Sequence, residues 1–296
     1  MTFLQFGGED EGGALDCMDQ SLLALRVLRR LIMVYDSPNR QNAIQELWNT
    51  LTVHFGRMLT IISDPDQPLE LQAGPKYLIE KHLLQIAKLH LNMSKIHPAA
   101  FALLPGSLDL VRSYWKLVTQ FSQTYGKPSS MTTKIGSDGD VDEEDEAPFQ
   151  EKVSLVGLLL LRACNRMIFN PAQTFKYQQV EDKEEKNKTR AMMKDQLLTP
   201  EFARQIMETL VTRFFIFTPR DLKQWEEEPD EWEKSQEDAG DDWEFSIRTC
   251  SEKLFLDLVI NYKDVLVPQL LNIISTASSR LLQSCVLEDF TFTDPT

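Results

Sequence analysis

Trp225, Trp232 and Trp243 stand in a run of carboxylates, and that juxtaposition is the strongest chemical signal in this chain. Between Arg220 and Glu244 there are twelve acids, three bases and three tryptophans. Glu226, Glu227, Glu228, Asp230 and Glu231 surround the first two rings, and Asp241 and Asp242 precede Trp243. A Lys or Arg side chain can stack on an indole face while pairing with a neighbouring carboxylate, each such contact contributing roughly 0.5 to 2 kcal/mol. These residues are therefore the candidate partner-binding set, with a basic polypeptide as the partner. The competing role for the tryptophans is to fasten an otherwise floppy loop to a wall of helices, and the two roles are compatible.

Other chemistry is sought with less return. Asp138, Asp140 and Asp142 have the spacing that opens a calcium-binding loop, but Glu143 stands where glycine is required and Phe149 where the bidentate glutamate belongs. His54, His82, His90 and His97 lack the H-E-x-x-H or Cys partners of a zinc site and read as core or surface histidines. No nucleophile elbow, phosphate-cradling loop or dinucleotide fingerprint occurs. Carboxylates in solvated runs keep ordinary acidity and make poor general acids. No catalytic residue, cofactor or metal is expected. Cys17, Cys164, Cys250 and Cys285 are widely spaced and read as reduced thiols of a cytosolic or nuclear protein.

The elements that must position the tryptophan cluster are helices. Gly (12) and Pro (14) are sparse in the 296 residues, and the abundant Leu, Met, Glu, Gln and Lys lose little rotamer freedom in a helix. Apolar residues recur at three- to four-residue steps from Asp16 to Tyr35 (Leu22, Leu25, Leu28, Leu31, Ile32) and again from Arg40 to Ile62. Further segments run from Tyr77 to Ile96, Leu108 to Tyr125, Phe149 to Phe169, Glu201 to Phe217, Cys250 to Tyr262 and Val265 to Ile274. Pro98, Pro105 and Gly106 mark a connection with a short turn of its own. Ala172 to Gln196 is charged and free of Pro and Gly, predicting a solvated helix extension. Thr249 with Glu252 fits a capping box. No period-two alternation appears.

The helices thus come in about four antiparallel pairs, near the spacing of HEAT repeats. A single pair cannot hide its apolar face, so the pairs must stack into an all-α, right-handed superhelical (ARM-like) solenoid. Two acidic inserts interrupt it. The first, 126–148, has seven acids and no base between Asp138 and Glu146, a composition that predicts disorder. The second, 220–244, carries the tryptophans. The organisation expected is a flexible tail over 1–15, helix pairs over 16–125 and 149–279, and a tail over 280–296.

Charge narrows the partners. A net charge of −14 repels nucleic acid and anionic lipid and attracts basic surfaces. The most apolar run, Val153 to Leu161, is closed by Arg162 and falls short of the about 20 residues that a bilayer needs, so no membrane insertion is expected. Met1 to Ala14 is acidic and Gly-rich, unlike a signal peptide.

The stretch FFIFTPRDLKQWEEEPDEWEKSQEDAGDDWEFSIRTCSEKLFLDLVINYKDVLVPQLLNII resembles the importin-β (karyopherin-β) nuclear transport receptors, most of all the importin-eleven type and its fungal counterpart. The shared pattern is a helix ending in aromatics, a D-L-x-x-W-E-E-x-P loop, W-x-[FY]-S-[IL]-R, the helix C-[ST]-E-x-L-F-[IL]-D and a second helix opening near Pro268. LLALRVLRRL is similar to the family's HEAT helices in a more generic way, and the likeness extends from Asp16 to about Ile274. It implies binding of basic cargo and of the small GTPase Ran, contacts with nucleoporins, and shuttling between cytoplasm and nucleus through the nuclear envelope. Family receptors are several times longer, so the chain reads as an interior piece without the N-terminal repeats that make the principal Ran contact. A static HEAT scaffold subunit of a multiprotein complex is the alternative.

Overall fold

The computed structural model describes residues 11–34, 42–63, 73–127, 148–174, 183–237, 244 and 246–289. Among these no strand occurs, and the chain is a succession of helices: α1 (Glu11–Ile32), α2 (Asn42–Ser63), α3 (Ala73–Ile96), α4 (Pro98–Leu103), α5 (Ser107–Ser122), α6 (Phe149–Phe169), α7 (Pro171–Thr174), α8 (Lys183–Met192), α9 (Pro200–Thr209), α10 (Pro219–Glu227), α11 (Pro229–Glu237), α12 (Ile247–Asn261) and α13 (Lys263–Asp289). The last turns after α8 and α9 widen into π geometry, Met193–Leu197 and Leu210–Phe214.

The pairs stack in two layers. In one, α1 packs on α3, α3 on α6 and α6 on α12. In the other, Phe55 of α2 meets Tyr114 of α5 with ring centroids 5.3 Å apart, Trp115 of α5 meets Phe202 of α9 at 5.9 Å, and α9 packs on α13. This is the HEAT-type arrangement, in which each apolar face is covered by the next pair. One continuous apolar core results, with Leu83, Leu89, Leu158, Leu160, Met207 and Leu254 fully buried. Burying one such side chain is worth about 1.5–3 kcal/mol against exposure. At the two ends of the stack apolar residues remain exposed, Leu23, Val27 and Val34 beside α1's last turns and Leu256, Ile260, Leu271 and Ile274 on α12 and α13.

Close approach needs a small residue where α5 crosses α6. A Cβ on Gly157 would lie 2.8 Å from Val118 Cγ2 and 3.4 Å from Tyr114 Cβ, so only glycine admits this spacing. The connection between α3 and α5 is the buried α4, with Pro98, Ala99 and Phe101 facing the core, and Trp48 Nε1 of α2 donates to the Pro105 carbonyl at 3.2 Å.

Several local expectations change. Leu31 of α1 is 52% exposed, because the helix turns Leu22, Leu25 and Ile32 to the core instead. Ala172 to Gln196 is no extension of α6: Asn170-Pro171 ends that helix, and α8 runs separately. Thr189, Met193 and Leu197 carry its end into the core, where it packs on α4 and α5. Ser246, not Thr249, precedes α12, and no side chain caps it. Pro268 lies inside α13 rather than at its opening, since the Tyr262 carbonyl already accepts from the N–H groups of Val265 and Leu266. Helix α1 starts at Glu11, within the expected tail, and α13 continues past residue 280 to Asp289. Residues 128–147, most of the first acidic insert, lie outside the described residues, as does Cys285's side chain.

Candidate partner-binding site

The second insert folds. Phe217-Thr218-Pro219 leaves the π turn of α9, and Thr218 starts α10 with a capping box. Its hydroxyl accepts from the Asp221 N–H at 3.2 Å, and Asp221 Oδ2 accepts from the Thr218 N–H and hydroxyl, both at 2.7 Å. Pro219 suits the first helical position, where no N–H is needed. Glu228 ends α10 in non-helical geometry, and its carbonyl accepts from the Trp232 N–H at 2.9 Å, so α11 begins at once. The result is a hairpin of two nine-residue helices whose acids lie almost wholly in solvent.

The two described tryptophans part company. Trp232 is half-buried against Phe217, with ring centroids 5.7 Å apart and planes tilted by 37°. Trp225 is 52% exposed and Leu222, one turn before it, 44%. Fastening therefore falls to Trp232, while Trp225 offers its face to solvent. Glu226, Glu227, Glu228, Asp230 and Glu231 are exposed around that hairpin. A hydrogen bond to Glu231, with like charge from Glu231 and Glu227, holds the Glu228 carboxyl pKa above the ordinary carboxylate value. Crowded carboxylates of this kind favour a cation between them. The Lys223–Glu227 pair, at 3.8 Å and well exposed, screens little of this charge. Asp241, Asp242 and Trp243 lie outside the described residues.

Residues with no local signal complete the site's root. The Arg248 guanidinium lies 4.7 Å from the Phe217 ring centroid and pairs with Glu252 at 3.3 Å and Asp221 at 3.9 Å. Beneath it Tyr125 has its hydroxyl pushed up to about 12, first by burial and then by the charges of Asp221 and Glu151. Gly126, next to that tyrosine, has φ +74°, and a Cβ there would meet Ile216 Cδ1 at 2.7 Å, so the α5 end is pressed against the strap that enters the hairpin. On the return side, Lys95 at the end of α3 holds both oxygens of Glu244, at 2.8 and 2.9 Å. The T-P-x-D pattern from Thr218 to Asp221 is a local signal that could have found this cap, where a loop is expected from the sequence. Arg248, Phe217 and Lys95 have no such signal, since each acts across the stack.

Among the described residues no group of three or more His, Cys, Asp or Glu is arranged to hold a metal ion, and no helix is long and apolar enough to cross a membrane. The hairpin presents one exposed aromatic face, exposed carboxylates and a root held by a few side chains.

No family model matches the chain. It is 28% identical over 279 residues to the importin β-like protein KAP120 of Saccharomyces cerevisiae, a match that covers 93% of this chain and 24% of that protein. It is 24% identical over 278 residues to mouse Importin-11, again covering 93% of this chain and 25% of the relative. The solved structure of Lph2, a bidirectional nuclear transport receptor of S. cerevisiae, superposes with a TM-score of 0.70 at 23% identity, over 92% of this chain and 24% of that one. The chain is homologous to importin-β family receptors. This importin-β-like chain spans about a quarter of the length of the curated relatives it matches. Its helical stack has the karyopherin solenoid fold.

Proposed function

We propose that this chain is a segment of a nuclear transport receptor that binds basic protein cargo during nucleocytoplasmic import, contributes to binding of the small GTPase Ran, and catalyses nothing. The observation that carries the reading is the half-exposed Trp225 on a hairpin whose neighbouring carboxylates are exposed. An indole face in a negative field attracts arginine and lysine side chains by the ring quadrupole and by charge together. Net charge of −14 extends the same preference over the whole surface. The relatives' description as importins and transport receptors supports shuttling between cytoplasm and nucleus, passage through the pore by way of nucleoporins, and the absence of enzymatic activity.

Binding of a fluorescent Lys/Arg-rich peptide at low salt tests the site. Replacing Trp225→Ala together with Glu226→Gln and Glu227→Gln should weaken binding by roughly tenfold, the sum of one cation–π contact and two charge-assisted contacts at an exposed surface. Unchanged affinity removes the hairpin from the binding surface. Displacement of bound cargo by RanGTP from the longer receptor supports transport, whereas indifference to the nucleotide supports a scaffold.

A further inference from the structure

Phe217 stands at the root of the hairpin, and both the Trp232 ring and the Arg248 guanidinium lie against it. Trp232 belongs to α11, Asp221 to α10, and Arg248 and Glu252 to α12. The hairpin itself presents few apolar side chains: between Leu222 and Lys234 every residue is exposed except Trp232. Its helices pack on each other, and no other element holds them broadly. Attachment to the solenoid is therefore concentrated in a few side chains, and Arg248 touches two of the elements concerned.

We propose that Arg248 is a latch that holds the acidic hairpin against α12, so that α10 and α11 move away as one body, carrying Trp225 with them, when its ion pair with Asp221 is broken. Three features favour a latch over a permanent bolt. The one Arg248 ion pair that crosses to the hairpin, with Asp221 at 3.9 Å, is longer than the about 2.7–2.9 Å of a tight charge-assisted hydrogen bond. Its Nη1 is buried without a hydrogen bond, a group that would be better hydrated in an open state. Asp221 keeps its two bonds from Thr218 whether or not Arg248 is there, so α10 survives opening as a helix. The closed latch fixes the direction in which Trp225 faces, which makes Arg248 a positioning residue for a partner that it does not touch. This last role rests on the partner-binding reading above, whereas the latch itself does not.

Hydrogen exchange on the whole chain reads the latch directly. With Arg248→Gln, amides of Leu222 to Trp232 should exchange at least about tenfold faster, with α3, α5 and α6 protected as before. Arg248→Lys, which keeps the charge but not the planar stack, should fall between. Raising salt from about 0.05 M to 1 M should speed hairpin exchange in the native chain and leave Arg248→Gln indifferent, because the screening length shortens from about 14 Å to about 3 Å. Asp221→Asn is the second variant, should Arg248→Gln disturb α12, and it should loosen the hairpin and be as indifferent to salt as Arg248→Gln. Hairpin exchange unchanged in both variants, or changed equally at all salt concentrations, overturns the latch. If the latch variants behave as expected while Trp225→Ala leaves peptide affinity intact, the partner-binding reading fails and the latch stands.

Discussion

The imidazole Nδ1 of His90 lies 3.0 Å from the Tyr114 hydroxyl, joining α3 to α5 inside a ring of Trp48 and Phe55. Both side chains are completely buried. Burial pushes the His90 ring down to about 3 from its usual 6.5, so it is neutral in the folded chain, and it raises the Tyr114 hydroxyl well above its usual value.

A pH dependence follows with a definite sign. The folded chain holds His90 neutral down to about pH 3, whereas the unfolded chain protonates it near 6.5. Its contribution is complete above 6.5 and is lost progressively as the pH falls towards 3, at on the order of 1 kcal/mol per pH unit. Urea denaturation at pH 6.5 and 5.5 checks this. The native chain should lose about 1 kcal/mol more than His90→Gln over that interval, and equal losses would refute the assignment.

Gly157→Ala should destabilise the α5–α6 crossing. The added methyl meets a β-branched side chain, Val118, at 2.8 Å, and the Tyr114 backbone carbonyl at 3.4 Å, neither of which can swing aside cheaply. Overpacking typically costs about 1–3 kcal/mol, partly offset by the roughly 1 kcal/mol that alanine gains over glycine in a helix. A net loss of about 1 kcal/mol in the denaturation midpoint analysis is expected, and a net gain would show that the crossing relaxes.

Arg162 and Asp257 pair across α6 and α12 at 2.7 Å, with side chains only 14% and 26% exposed. Removing either partner leaves a charge of the pair uncompensated by its closest opposite charge. Asp257→Asn and Arg162→Gln should each cost roughly 1–3 kcal/mol, and the double replacement less than their sum. Simple additivity in a double-mutant cycle would mean that the pair contributes nothing as a pair.

Trp225 and Trp232 should behave differently when removed. Trp225→Ala leaves thermal stability within about 0.5 kcal/mol of native, as for other exposed sites. Trp232→Ala removes the ring that lies on Phe217 and should speed proteolysis within the hairpin without lowering the melting of the solenoid. Equal proteolysis of the two variants would contradict the division of roles.

Helix existence was legible because it is a local property. Phe149–Phe169 is bounded by Pro148 on one side and Asn170-Pro171 on the other, and its apolar residues repeat within a few turns. The segment after it misled for the opposite reason: Lys183 to Met192 is locally hydrophilic, and only the apolar end at Met193 and Leu197, seen against α4 and α5, draws it into the core. At the candidate site the composition of Arg220 to Glu244 marked an exposed acidic segment, but it predicts a loop where two helices form, even though Thr218 and Asp221 hold a local capping signal. Which tryptophan faces inward had no such signature, because both occupy similar acidic surroundings along the chain.

By itself the amino-acid order determined the helical class, the stacking in pairs and the acidic character, since a period near 3.6 and a charge count need no knowledge of distant contacts. Tertiary structure alone decided that Trp232 is an anchor and Trp225 a free face, that Arg248 rests on Phe217, and that Lys95 grips Glu244 from 149 positions away. Those pairings depend on how one helix pair is rotated and shifted against the next, which is settled by side-chain volumes meeting across the interface and has no periodic trace in the sequence.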